Sequence, residues 1–88
     1  DNLNNYYSSK YKKKRLNLIK KNKNFKFKKV DISNYLQLKK LFNNYRFDCV
    51  INLAAQAGVR YSIYNPKAYI NSNVIGFFNV IELCRQKK

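Results

Sequence analysis

Residues 48–62 read DCVINLAAQAGVRYS, and the fold of the whole chain turns on how this stretch is interpreted. Cys49, Val50 and Ile51, with Leu53 beyond Asn52, form a short apolar run that ends in the small residues Ala54, Ala55, Ala57 and Gly58. A run of this length, rich in β-branched residues and closed by turn formers, fits a strand buried on both faces. Small side chains just past the carboxyl end of a strand leave backbone bare for a ligand, and ligands of open α/β sheets bind outside those ends. The loop from Leu53 is therefore the expected ligand side, with Arg60, Tyr61 and Ser62 following it.

Moving towards the amino terminus, Leu36, Leu38, Leu41, Phe42 and Tyr45 are spaced as one buried helix face, and Ser33 or Asn34 is placed to cap it. Before that cap, Phe25-Lys26-Phe27-Lys28-Lys29-Val30 alternates apolar and basic residues, the period of a half-buried strand. Lys10 to about Lys21 reads as a short helix with a thin apolar stripe of Tyr11, Leu16, Leu18 and Ile19. Towards the carboxyl terminus, Asn65 can cap a helix that begins with Pro66. Its apolar stripe would be Ile70, Val74, Phe77, Phe78, Ile81 and Cys84. Gly76 interrupts the helix at about 1 kcal/mol relative to Ala, a cost that close approach of another backbone would explain. Strands alternating with helices predict α/β layering around a parallel sheet.

The chain has 88 residues, with 19 Lys+Arg against 4 Asp+Glu and a formal net charge of +15. That length suits one small domain with a thin core. A hydrophobic share of 45% and an aromatic share of 16% speak against intrinsic disorder. The two cysteines, Cys49 and Cys84, sit in apolar patterns and are expected to pack as small hydrophobes in a reducing compartment. With no histidine and no cysteine cluster, a zinc site is not expected. No apolar stretch is long enough to span a bilayer, so a cytoplasmic location is expected, with no membrane partner. Most of the excess charge lies in Lys10 to Lys29 and at Arg85, Lys87 and Lys88, in a chain also rich in Asn. A strongly AT-biased genome produces that pairing through codon usage, which leaves the lysines on solvated faces.

Candidate ligand residues follow from the strand ends. Asp1, Asp31 and the loop from Leu53 each stand where a strand gives way to a loop. In a doubly wound sheet such ends share one rim, and a carboxylate there can accept both hydroxyls of a ribose. An Asp in that position also serves as a turn former or cap.

Three segments together resemble the extended short-chain dehydrogenase/reductase family of nucleotide-sugar epimerases and dehydratases: DNLNNYY, VDISN, and FDCVINLAAQAGVRYSIYNPKAYINSNVIGFFNVIELCR. Within the family, AAQAGVRYS followed by NP, AYI and SNVIGF is most similar to the UDP-glucuronate 4-epimerases. The resemblance implies a partial Rossmann-like α/β domain over residues 1–88, running from the end of the second strand to the helix after the fourth. It implies NAD as cofactor, a UDP-sugar as substrate, interconversion of C4 epimers through transient oxidation, and homodimers of the intact protein. By position, Asp1 resembles the ribose-binding acid, with Asn2 and Asn5 near the adenosine. Asp31 and Ile32 match the pair that flanks the adenine, and Leu53, Ala54 and Ala55 match the backbone that passes the pyrophosphate and nicotinamide ribose. Ser72 and Asn73 match the helix face that looks back at that backbone, and Arg60 and Tyr61 match positions close to the sugar nucleotide.

The family's first strand and glycine-rich phosphate loop, and its Tyr-x-x-x-Lys pair, are not among these residues. Together with an opening Asp, that reads as a fragment, with no catalytic residue and no turnover expected of it alone. The missing strand belongs between the two strand candidates, so the isolated chain is expected to keep mainly its helices. The rival reading is a small basic nucleic-acid-binding module that uses Lys10–Lys29, with Tyr11, Phe25 and Phe27 as stacking residues.

Overall fold

All regular elements in the computed structural model are helical, and the structure describes residues 1–87. The helices are α1 (Ser9–Ile19), α2 (Tyr35–Asn44), α3 (Tyr61–Tyr64), α4 (Pro66–Tyr69), a π-helical stretch (Ile70–Gly76) and α5 (Phe77–Gln86). Two units emerge, Asp1–Val30 and Asp31–Lys88. Lys88, counted above with the terminal basic residues, lies outside the described residues.

The parallel sheet expected from the sequence is not formed among the described residues; both strand candidates are irregular. The reason is the hydrogen-bond demand of a strand, whose N–H and C=O groups need a neighbouring strand on at least one side. The expected neighbour of both segments is not among these 88 residues. The apolar side chains of residues 50–53 consequently face water, with Ile51 78% and Leu53 88% exposed.

In the first unit, α1 buries no residue. Its Lys, Arg and Leu residues are good helix formers, and the run ends where the Asn22 N–H bonds the Ile19 carbonyl at 3.0 Å. The Asp1 carbonyl accepts the Val30 N–H at 3.3 Å, which ties the two ends of this unit together.

In the second unit, the Asn34 side chain caps α2 by accepting the Gln37 N–H at 3.1 Å. Leu38 and Phe42 of α2 and Val80 and Leu83 of α5 form the buried apolar core, with Leu83 fully buried. Asn65 caps α4 by accepting the Ala68 N–H at 3.3 Å, with Pro66 in the first turn as the sequence predicts. From Pro66 to Gln86 the backbone continues as one helical run whose middle is π-helical.

Two expectations about this run need correction. The buried face is not the Ile70–Cys84 stripe: Ile70, Val74, Phe77, Phe78 and Ile81 are exposed, while Gly76, Asn79, Val80 and Leu83 are buried. Without a sheet no layer lies over the stripe, and the helix turns its smaller opposite face to α2. For the same reason Cys49 and Cys84 are exposed thiols rather than packed hydrophobes. Both line a groove of about 870 Å³ beside Phe42 and Phe47.

Candidate functional site

The helical run 66–86 organises the second unit by gripping two loops with polar side chains. Asn73 forms a two-way pair with the peptide group of Gln56: its Oδ1 accepts the Gln56 N–H at 2.8 Å, and its Nδ2 donates to the Gln56 carbonyl at 3.1 Å. One side-chain amide thus takes the part of a neighbouring strand for one residue of the loop. Four residues earlier on the run, Tyr69 donates through its hydroxyl to the carbonyls of Ala57, at 3.0 Å, and Gly58. Gly58 has a φ of +94°, in the region that favours glycine, so the chain turns there without strain. Residues 56–58 are fixed from one side, and Leu53, Ala54 and Ala55 just before them remain exposed.

The second loop is 31–34. One carboxylate oxygen of Asp31, Oδ1, accepts the Ser33 N–H at 2.9 Å and the Ser33 hydroxyl at 2.6 Å, and the Asp31 carbonyl accepts the Asn34 N–H at 3.0 Å. Asp31 therefore does the turn-forming work that its type suggested, leading straight into the cap of α2. The Ile32 carbonyl accepts the Asn79 side-chain amide at 2.8 Å. A Cβ at Gly76 would stand 2.6 Å from both Cγ1 and Cδ1 of Ile32. The nearest neighbour that Gly76 admits is thus the Ile32 side chain, with the Asn71 carbonyl of the same helical run next at 3.2 Å.

Sequence reading pointed to Asp31, Ile32, Leu53, Ala54, Ala55, Arg60, Tyr61, Ser72 and Asn73, all of which lie in the second unit. Ser72 and Asn73 both sit in the π-helical stretch, and Asn73 reaches Gln56 in the loop. Arg60 is exposed at the start of α3. The Tyr61 hydroxyl accepts the Asn65 side-chain amide at 3.0 Å, and its ring lies 6.3 Å from that of Tyr69. Asp1, Asn2 and Asn5 belong to the first unit. There the Asp1 carboxylate accepts the Leu3 N–H at 2.5 Å and pairs with the Lys12 ammonium at 3.9 Å. The Asn2 side chain accepts the Asn4 N–H at 3.0 Å, and Asn5 is exposed in a bend. Of the residues proposed to stack on nucleic acid, Tyr11 is exposed, whereas Phe27 is half-buried with the Lys20 ammonium 5.7 Å from its ring centre. No helix among the described residues is long and apolar enough to cross a membrane.

Sequence reasoning missed Tyr69 and Asn79. Asn79 sits amid Gly76, Val80 and Leu83, which prove to be buried although the apolar stripe of the sequence pointed to the other face.

The family described as GDP-mannose 4,6 dehydratase matches this chain over residues 2–88. Protein CapI of Staphylococcus aureus is 52% identical over 85 residues, which is 97% of this chain and 25% of that protein. A UDP-glucuronate 4-epimerase of Thermodesulfobacterium geofontis is 48% identical over 97% of this chain and 26% of its own length. UDP-glucuronate 4-epimerase 2 of Arabidopsis thaliana is 44% identical over 97% of this chain and 19% of its own. The chain spans about a quarter or less of the length of these relatives.

Proposed function

The chain belongs to the GDP-mannose 4,6 dehydratase family, and from that premise we propose that it forms part of the NAD-binding domain of a nucleotide-sugar 4-epimerase acting on a UDP-sugar such as UDP-glucuronate. The observation that carries the reading is the Asn73–Gln56 pair, which holds the small-residue loop while Leu53, Ala54 and Ala55 stay exposed. The residues fit a dinucleotide. Three alanines and a glycine in 54–58 let a pyrophosphate and ribose approach the main chain, and the Asp31–Ile32 turn offers a carboxylate beside an apolar side chain.

On this reading Asp31 and Ile32 hold the adenine, and Leu53, Ala54 and Ala55, backed by Ser72 and Asn73, face the pyrophosphate and nicotinamide ribose. When bound, NAD supplies the hydride acceptor and donor for oxidation and re-reduction at C4 of the sugar. Arg60 is the residue for a carboxylate or phosphate of the substrate, which its planar guanidinium can bind through two hydrogen bonds, and Tyr61 lies beside it. The intact protein is proposed to work in the cytoplasm as a homodimer. This reading assigns the chain no proton-transfer role, and its part is to bind and orient.

Titrating NAD into the ¹⁵N-labelled chain tests this. Expected are amide shifts at Ile32, Ser33, Ala54 and Ala55 that survive 0.3 M salt, on the order of the Debye-screened regime. Shifts confined to Lys10–Lys29 and abolished by that salt would overturn the reading in favour of unspecific capture of phosphate.

A further inference from the structure

Asn79 is 5% exposed and stands in an otherwise apolar core with Leu38, Phe42, Val80 and Leu83. Stability alone does not call for it there, because a well-packed hydrophobe serves a core at least as well as a buried amide. Its amide spends its reach on one atom of the other loop, the Ile32 carbonyl at 2.8 Å. One turn earlier on the same run, Gly76 makes room for the Ile32 side chain, with Cγ1 and Cδ1 both 2.6 Å from where a Cβ would lie. Backbone and side chain of Ile32 are thus located by the same two turns of helix, one through a donor and the other through an absent methyl. The neighbouring Asp31 is locked in its turn by Ser33, so fixing Ile32 fixes the carboxylate with it.

We propose that Asn79 is a positioning residue for the adenine end of the cofactor. It sets the height of Ile32 above α5 and thereby aims the Asp31–Ile32 turn at the base. This rests on the dinucleotide reading above and adds to it a residue that touches no ligand. It also makes the helical run 66–86 a shared frame: Tyr69 and Asn73 hold one loop of the proposed site, and Gly76 and Asn79 hold the other.

Adenosine is the probe, since without phosphate it is not captured by the lysines. It is titrated into the full 88-residue chain and into Asn79→Asp and Asn79→Leu. The first variant keeps the shape but sets a carboxylate against the Ile32 carbonyl; the second keeps the core apolar. Amide hydrogen exchange is followed at Ser33 and Asn34, with Gln56, held by Asn73, as internal reference. Expected in both variants is a loss of adenosine affinity of about tenfold, the size of one hydrogen bond to a buried group. Exchange at Ser33 and Asn34 should accelerate while Gln56 is unchanged. Adenosine binding as in the wild type would overturn the proposal and leave the dinucleotide reading standing. Faster exchange at Gln56 as well, in both variants, would reduce Asn79 to a structural residue and overturn it too. A wild-type chain that adenosine leaves unperturbed at Ile32 and Ser33 would overturn the adenine assignment and this proposal together.

Discussion

The two units of the chain are stabilised by different means. Asp1–Val30 carries 11 of the 19 basic residues and a helix that buries nothing. The polar contacts that tie it are exposed: the Lys12 ammonium reaches the Asn4 carbonyl at 3.1 Å and the Asp1 carboxylate at 3.9 Å. Contacts of that kind contribute a few tenths of a kcal/mol each, up to about 1 kcal/mol, and weaken with salt. The second unit has a fully buried leucine and, around it, side-chain amides that reach back to peptide groups 17 and 47 residues away. The buried amide of Asn79 and the amide of Asn73 end on loop backbone far along the chain and order those loops without a sheet, whereas the Lys12 ammonium of α1 reaches only nearby residues through exposed contacts.

The widest separation between the units should come from truncating one leucine in each. Leu83→Ala removes a side chain with no exposed surface, and such changes cost about 2–5 kcal/mol. That is comparable with the whole stability of a small domain, so the variant should lose the slow-exchanging amides of α2 and α5 altogether. Leu18, 67% exposed on α1, should change stability by less than about 0.5 kcal/mol when cut to Ala. Hydrogen exchange followed by mass spectrometry on both variants checks this, and equal effects would remove the distinction between the units.

Gly76→Ala gives a smaller effect with opposing parts. Ala gains about 1 kcal/mol over Gly in a helix, but its methyl would sit 2.6 Å from Cγ1 and Cδ1 of Ile32. Overpacking of this kind costs about 1–3 kcal/mol, and Cγ1, anchored next to the backbone, has little room to withdraw. The net expectation is a loss of about 1 kcal/mol in a denaturant titration, removed when Ile32→Ala is made in the same chain. A gain in stability from Gly76→Ala would mean that the Ile32 side chain is not held against this helix.

Much of the helical plan was legible because caps and helix periods are local. Asn34, and Asn65 followed by Pro66, announce their helices within four residues, and both cap as read. The strands were not decidable locally. The alternation at 25–30 and the apolar run at 49–53 encode a strand only in the presence of a neighbour, and in this chain both stay irregular. The burial of the long helix followed the same logic: the Ile70–Cys84 stripe is the more apolar face, but α2 is the surface on offer, and it takes the face with Gly76 and Leu83. Of the candidate site, Asn73 was legible through its family position, while Asn79 was hidden because an Asn inside a helix reads as solvent-facing unless its partner, 47 residues away, is known.

The finest test of the contrast concerns the acid side of the pH scale, where the second unit carries a carboxylate, Glu82, held well below its ordinary value. Glu82 on α5 accepts from Arg85 through two bonds, Nη2 to Oε1 at 2.6 Å and Nε to Oε2 at 2.9 Å, and from the Gln86 amide at 3.0 Å. The Arg85 hydrogen bonds, then that of Gln86, hold its carboxyl at about 2, against an ordinary value of 4.5. A carboxylate whose folded value lies below its unfolded one adds stability that is complete above about 4.5 and disappears as the pH falls towards about 2. Circular dichroism between pH 5 and pH 2 should therefore show α5 losing helicity across that window in the native chain. The slope should be shallower in Glu82→Gln, which keeps the length of the side chain but has no charge to titrate. The pair is solvent-exposed, so 1 M salt should shrink the difference between the two curves. Identical curves at low salt would mean that the Glu82–Arg85 pair does not carry the acid sensitivity of α5.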